Sequence, residues 1–285
     1  MRAKLDESFP TLKNSQYANY FVEIHDELLT NTKFSDPSAE LSDFNSKMLT
    51  VNKDRAQKIG LVYMGRQAPG GNNVVDGLLR YQAQRSNVEL IGFINGVDGL
   101  LADNSAVMTR ENFALFVNLG GYDYIGRGPD ELRTPEQRAR ALEVATAHGL
   151  TGLIFVGATG CMTDTAFLAE HFESQGSSIR VVNIPATVDG NIHHKYFQTA
   201  IGFDTASKVY SQLIGNMLTD SASAIKYWYF IRLMGKEPSH LAAECALKTS
   251  PNLVIISEEC QDRHESLQDV VNNICDVICK RAEAK

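Results

Sequence analysis

Apolar and polar positions change rhythm near Lys58. Beyond it, short apolar runs alternate with longer stretches whose apolar residues recur at helical spacing, the mark of βαβ units building a mainly parallel sheet covered by helices. Strands are expected at Ile59–Met64, Glu89–Ile94, Gly152–Val156, Ile179–Ile184, Trp228–Leu233 and Leu253–Ile256. Helices are expected at Val74–Arg85, Arg110–Leu119, Pro135–His148, Asp164–Gln175, Phe203–Ser223, His240–Lys248 and Leu267–Arg281. One helix start is spelled out residue by residue, with Thr134 as N-cap, Pro135 in the first turn and Gln137 placed to complete a capping box. The fold class is α/β.

Residues 1–55 break this rhythm. They are polar, acidic in places, interrupted by Phe34-Ser35-Asp36-Pro37-Ser38, and carry only short helical patterns such as Tyr20 to Leu29, so they read as an arm. A domain boundary is expected in the Gly- and His-bearing stretch between Pro185 and Gly202, dividing 56–190 from 191–285. The last segment, Leu267 to Lys285, is amphipathic with no strand after it.

Composition narrows the function classes. The 285 residues are 44% hydrophobic and 21% charged, which suits one large or two small globular domains. Net charge is -7 and the basic residues are scattered, so there is no footprint for nucleic acid. No apolar run is long enough to span a bilayer and no leader pattern opens the chain, which points to a cytoplasmic protein with no membrane partner. The odd set Cys161, Cys245, Cys260, Cys275 and Cys279 fits a reducing compartment, and neither Cys275 with Cys279 nor His193 with His194 completes a metal site.

The candidate chemistry lies in loops. Gly65-Arg66-Gln67-Ala68-Pro69-Gly70-Gly71-Asn72-Asn73 joins an expected strand to an expected helix. Glycines there let backbone approach an anion, and a helix N-terminus attracts phosphate, although Pro-Gly-Gly is also ordinary turn chemistry. Ligands of open parallel sheets bind beyond the carboxyl ends of the strands, so the loops after Met64, Val156 and Ile184 are expected to converge. Asp204 is expected to cap the long helix from Phe203, and Glu258 and Glu259 follow an expected strand, where a carboxylate serves either function or capping. Tyr227, Trp228 and Tyr229 read as strand cover, and Leu213, Ile214, Met217 and Leu218 as a packing stripe at a subunit contact.

Five stretches carry a family resemblance. They are the glycine loop above, Gly120-Gly121-Tyr122-Asp123-Tyr124-Ile125-Gly126-Arg127, Pro185-Ala186-Thr187-Val188-Asp189-Gly190-Asn191, Gly202-Phe203-Asp204-Thr205-Ala206, and Phe230-Ile231-Arg232-Leu233-Met234-Gly235-Lys236-Glu237-Pro238-Ser239-His240. In this order, from about Ile59 to Ala282, they resemble the phosphofructokinase family in its pyrophosphate-dependent branch, the pyrophosphate–fructose 6-phosphate 1-phosphotransferases. The spelling of the first and last is most similar to the regulatory alpha-type subunit. The resemblance implies two α/β domains with mainly parallel sheets, 56–190 of phosphate-donor type and 191–285 part of a sugar-phosphate-binding domain. Family members continue beyond the equivalent of Lys285, so the second domain is expected to be incomplete.

The implied reaction is phosphoryl transfer to the 1-hydroxyl of fructose 6-phosphate, with Mg²⁺ bridging phosphate oxygens, glycine loops holding the donor and a carboxylate taking the hydroxyl proton. By resemblance Asp189 is the base, in a motif with Thr187 and Asn191, the latter replacing a second Asp. Gly65, Arg66, Gly70, Gly71, Gly157 and Gly160 hold the donor phosphate, and Met234, Gly235, Lys236 and Arg232 the sugar phosphate. Thr159 stands where active members carry the metal carboxylate, and a hydroxyl is a poor substitute for it. Gly160 and Ala186 occupy positions that exclude ATP in the pyrophosphate branch, so pyrophosphate and nucleotide both stay open as donors. The resemblance implies a degenerate regulatory chain paired with a catalytic beta-type subunit, or a homo-oligomer, with an active enzyme using Asp189 as the alternative.

Overall fold

The computed structural model describes residues 55–65, 69–128, 131–192, 200–235 and 238–284. The expected arm falls outside these apart from residue 55, as do Arg66, Lys236, His193 and His194. Two compact units make up the described chain, one of residues 55–187 with 192–202, the other of residues 188–191 with 203–284.

The first unit is built on six strands in the order β3-β2-β1-β4-β5-β6. These are β1 (Gln57–Tyr63), β2 (Val88–Phe93), β3 (Ser105–Val107), β4 (Gly152–Gly157), β5 (Arg180–Thr187) and β6 (Ile201–Gly202). All neighbours run parallel except β3, which returns antiparallel to β2 with Ile91 opposite Val107. The helices are α1 (Gly71–Ala83), α2 (Val97–Leu101), α3 (Arg110–Phe113), α4 (Pro135–Ala147) and α5 (Thr159–Ser174). Central strands read as continuous apolar runs because both faces are covered. Val62, Phe93, Leu153 and Phe155 accordingly share one buried core with Ala141 and Val144 of α4 and Leu168 and Phe172 of α5.

The capping box at α4 forms as its spelling requires. Thr134 Oγ1 accepts from Gln137 N at 3.2 Å, and Gln137 Oε1 accepts from Thr134 N at 3.0 Å. The helix expected at Arg110–Leu119 stops at Phe113 and tightens into a 3₁₀ turn at Ala114–Phe116. Its aromatic residues explain the break, since the rings of Phe113 and Phe116 gather on Tyr124 with centroids 5.0 and 5.1 Å away, and Asn118 then turns left-handed at φ 60°. β3 and β6 are too short to leave a periodic trace.

The second unit contains α6 (Phe203–Ala224), α7 (His240–Thr249), α8 (Ser257–Asp262) and α9 (Leu267–Glu283). Ala206 and Ile214 of α6 bury against Leu241 and Cys245 of α7. The strands expected at Trp228–Leu233 and Leu253–Ile256 are absent, for both segments lie in neither helix nor ladder. Their β-branched and aromatic residues favour extended backbone, but a strand needs a neighbour to pair with, and among the described residues none does so. Among the described residues no helix is long and apolar enough to cross a membrane.

Replacing the capping hydroxyl tests how far the α4 box stabilises this fold. Thr134→Ala is expected to cost about 1 kcal/mol, read as a lower urea midpoint with an unchanged slope; an unshifted midpoint would show that the box contributes nothing.

Candidate phosphate and sugar-phosphate sites

The chain leaves β1 toward β2 on one side and β4 toward β5 on the other, while β1 and β4 are themselves paired. Their carboxyl ends therefore bound the crevice in which open parallel sheets bind ligands. Met64 N donates to Val156 O at 3.0 Å, carrying the pairing to the end of the strands. Beyond it the two loops meet closely. A Cβ on Gly157 would lie 2.4 Å from Met64 O, and one on Gly65 would lie 3.8 Å from Ala158 N.

Each loop opens a helix at once. Gly70, at φ 94°, precedes α1, and Ala158 precedes α5; neither helix start has a side-chain cap or an acidic residue in its first turn. Two positive helix dipole ends thus stand over one crevice, an arrangement that favours an anion, while at α1 the N–H groups of Asn72 and Asn73 are already taken by Gly121 O at 2.8 Å and Gly70 O at 3.0 Å. The sequence candidates Gly65, Gly70, Gly71, Gly157, Thr159 and Gly160 all fall on these two loops, Thr159 and Gly160 inside the first turn of α5. Gly160 is exposed, whereas Ala186 is buried within β5. Arg127, given no separate role from sequence, donates from its guanidinium to Gly65 O at 2.8 Å and brings a cation to the loop.

A buried polar network sets the loop after β1. Asn72 Oδ1 accepts from the Tyr63 hydroxyl at 3.0 Å, and Asn72 Nδ2 donates to Gly120 O at 2.7 Å and to Asp123 Oδ1 at 2.6 Å. Asn72 N also donates to Gly121 O at 2.8 Å. Gly71 has to be glycine, because a Cβ there would sit 2.0 Å from the Tyr122 ring, itself stacked on Tyr63 with centroids 4.6 Å apart. Burial pushes both phenols up, so they stay protonated. Sequence reasoning placed Asn72 and Tyr122 in motifs without a role; an amide directly after paired glycines was the available signal.

The residues do not fit a Mg²⁺ site. Between Met64 and Asn72, and between Val156 and Cys161, the chain has no carboxylate at all. Asp123 is held by Asn72, and buried Asp164 accepts from Leu132 N at 3.3 Å inside the core. Among the described residues no group of three or more His, Cys, Asp or Glu side chains is placed to hold a metal. Cys161 is buried, its Sγ accepts from Asn183 Nδ2 at 3.0 Å, and burial pushes its thiol far up, which makes it a packing residue.

In the second unit, Asp189, Arg232, Met234 and Gly235 line one cavity of about 480 Å³. The turn at Met234–Gly235 lies directly against the carboxylate, since a Cβ on Gly235 would be 3.3 Å from Asp189 Oδ1. Gly190 O meets His240 Nδ1 at 3.1 Å, a contact no sequence pattern indicated. Thr187 is buried at the end of β5 in the first unit, and Asn191 is half-buried in the second. Asp204 lies inside the first turn of α6 and does not occupy the expected cap position. Glu258 is structural. Burial alone would raise its pKa, but hydrogen bonds from Ser239 and Ser257 hold it below the usual range, and its Oε1 accepts from Ser239 N at 2.6 Å just ahead of α7.

The model of the family described as Phosphofructokinase matches residues 58–284. The chain belongs to the phosphofructokinase family. Among curated phosphofructokinases, the pyrophosphate–fructose 6-phosphate 1-phosphotransferase of Treponema pallidum is 41% identical over 84% of this chain and 42% of its own. The beta subunit of that enzyme from Ricinus communis is 42% identical over 88% of this chain and 45% of its own, and the alpha 2 subunit from Arabidopsis thaliana 41% over 82% and 38%. The chain thus spans less than half the length of these relatives. In fold it is similar to the solved pyrophosphate-dependent phosphofructokinase of Nitrosospira multiformis, with TM-score 0.60 and 17% identity over 70% of this chain and 52% of that one.

Two substitutions separate the structural parts of this region. Asp164 has its pKa raised, chiefly by burial. Its contribution to stability is then full below the unfolded carboxyl pKa of about 3.9 and is lost as pH rises through the folded value. Asp164→Asn keeps an acceptor for Leu132 N, so the variant is expected to be more stable than the parent at pH 7 and to lose that advantage near pH 3; an advantage independent of pH would refute the assignment. Gly71→Ala is expected to cost about 1–3 kcal/mol by overpacking, whereas Gly77→Ala, whose Cβ meets nothing within 4 Å, is expected to stabilise α1 by roughly 0.5–1 kcal/mol. Equal urea midpoints for the two would contradict the close approach at Gly71.

Proposed function

We propose that this chain is a regulatory, alpha-type member of the pyrophosphate-dependent phosphofructokinases, binding phosphorylated ligands and acting with a catalytic beta-type subunit. The observation that carries the reading is the start of α5. At the carboxyl end of β4 the chain enters a helix at Thr159 with no carboxylate in the loop, beside a second uncapped helix start. An anion is favoured there and a hard divalent cation is not. Identity does not separate alpha from beta, since relatives of both types match equally well, so the assignment rests on the loops.

In this reading the N-terminus of α5 and the Arg127 guanidinium hold phosphate oxygens in the donor-type unit of residues 55–187, and the dipole end of α1 adds to the attraction. The unit holding residues 203–284 takes the sugar phosphate, with Arg232 and the Met234–Gly235 turn on the cavity and Lys236 in the same stretch of sequence. The ligand is fructose 6-phosphate or a related sugar phosphate, with pyrophosphate or a nucleotide on the other unit. By the resemblance, the small residues Gly160 and Ala186 leave the choice of donor open. The protein works in the cytoplasm as part of an oligomer.

One observation favours a second reading, an active phosphotransferase. Asp189 keeps its carboxylate against the Met234–Gly235 turn, where a base would receive the proton of the sugar's 1-hydroxyl.

An assay of fructose 1,6-bisphosphate formation decides between them, run with pyrophosphate and with ATP, on the chain alone and with a catalytic beta-type subunit added. The expected result is no turnover by the chain alone and a several-fold change in the partner's KM for fructose 6-phosphate. Turnover by the chain alone that disappears in Asp189→Ala would overturn the regulatory reading.

A further inference from the structure

The turn between β2 and α2 lies directly behind Arg127. Asn95 turns left-handed at φ 65°, and buried Gly96 follows at φ 70° and ψ -129°, a conformation that favours glycine. A Cβ on Gly96 would lie 2.4 Å from Tyr63 O, 2.9 Å from Gly128 N and 3.3 Å from Arg127 Cα. One residue without a side chain thus separates the end of β1 from the backbone that carries Arg127. The contact continues on both sides. Asn95 N donates to Ile125 O at 2.8 Å, and a Cβ on Gly128 would meet Asp98 Oδ2 at 2.4 Å and Asn95 O at 2.6 Å.

Residues 125–128 are therefore held from behind by the segment Asn95–Asp98, while Asn72 holds Gly120 and Gly121 at the other end of the same loop. Arg127 is exposed and donates one guanidinium N–H to Gly65 O. A guanidinium has further N–H donors to offer a ligand. An arginine fixed through its backbone and through one of its own donors has lost much of its freedom before a ligand arrives. Preorganisation of this kind raises affinity without adding a contact.

We propose that the turn Asn95–Asp98 positions Arg127 for phosphate binding, with Gly96 and Asp98 as positioning residues that act through its guanidinium; this rests on the phosphate-binding reading of the same unit. Gly96 sets how closely the Arg127 backbone approaches β1. The Asp98 side chain supports Gly128 from below and so keeps Arg127 from withdrawing toward α2. Such a role has a sign that simple electrostatics reverses. Asp98 is a negative charge beside the segment that brings a cation to the anion, so removing that charge alone strengthens anion binding. Removing the support weakens it.

The test uses the full chain and inorganic pyrophosphate. Calorimetry reads affinity, the rate of phenylglyoxal modification at Arg127 in peptide mass spectra reads how firmly that side chain is seated, and urea unfolding reads stability. Asp98→Ala is expected to weaken pyrophosphate about threefold and Gly96→Ala roughly tenfold, both with faster modification of Arg127, and neither is expected to weaken binding further once Arg127→Gln is present. Gly60→Ala crowds Leu150, Leu153 and Phe93 in the core instead. It is expected to lower the urea midpoint and leave pyrophosphate affinity and the Arg127 rate unchanged. Tighter binding by Asp98→Ala, an equal loss with and without the Arg127 guanidinium, or an unchanged Arg127 rate overturns the proposal. If Gly96→Ala does not fold, Asp98→Ala decides alone, because it removes atoms and crowds nothing. A parent chain that does not bind pyrophosphate refutes the phosphate reading, and the Arg127 rates still decide whether this turn seats the residue.

Discussion

The geometry of the loop after β1 depends on one buried carboxamide. Asn72 is fully buried and uses its acceptor and its amide donors at once, on Tyr63, Gly120 and Asp123, while its backbone N–H reaches Gly121. A buried polar group satisfied on all sides specifies a single arrangement, because any other leaves a costly unpaired atom. Strand β1, the start of α1 and the turn at Gly120–Tyr122 are thereby fixed to one another. The close approach at Gly71, the Tyr63–Tyr122 stack and the seat of Arg127 on Gly65 O all follow from that fixed corner.

Much of this unit was legible because its signals are local. The apolar run of β1, the Thr134–Gln137 box and the glycines after Met64 each state their own conformation. Of the three loops expected to converge, those after Met64 and Val156 meet at Gly65 and Ala158, whereas β5 runs on past Ile184 to Thr187 and the residues after it belong to the second unit. Illegible were the features that depend on distant residues: β3 and β6, which exist only through their neighbours, the aromatic cluster that ends α3, and the Asn72 network, whose partners Gly120 and Asp123 are 48 and 51 residues away. The second unit shows the converse failure. Residues 228–233 have every local property of a strand, but strand formation is a property of pairs.

Glu258 and Asp189 show why a carboxylate after an apolar run cannot be assigned by position. Both were marked as candidates from sequence. Glu258 proves to be consumed by Ser239 and Ser257, and its lowered pKa reports hydrogen bonds that hold α7 in place. Asp189 instead lines the cavity of the second unit, against Gly235. The surroundings of a carboxylate, and not its place after an apolar run, set what it can do.

Phosphate binding and phosphoryl transfer demand different amounts of charge. A helix N-terminus carries about half a positive charge and favours an anion by roughly 0.3–1 kcal/mol, more where partly buried. The proposed reading asks only that such ends and the Arg127 guanidinium hold a phosphate group, for which a modest excess over water is enough. Transfer also requires the charge that develops on equatorial, attacking and leaving oxygens to be met, and metal ions provide several kcal/mol there in related chemistry. At about 1.4 kcal/mol per factor of ten, losing that contribution removes orders of magnitude in rate while affinity falls far less. The absence of a carboxylate from the loop after β4 therefore bears on transfer far more than on affinity, and that asymmetry is what supports the proposed regulatory reading over the catalytic one.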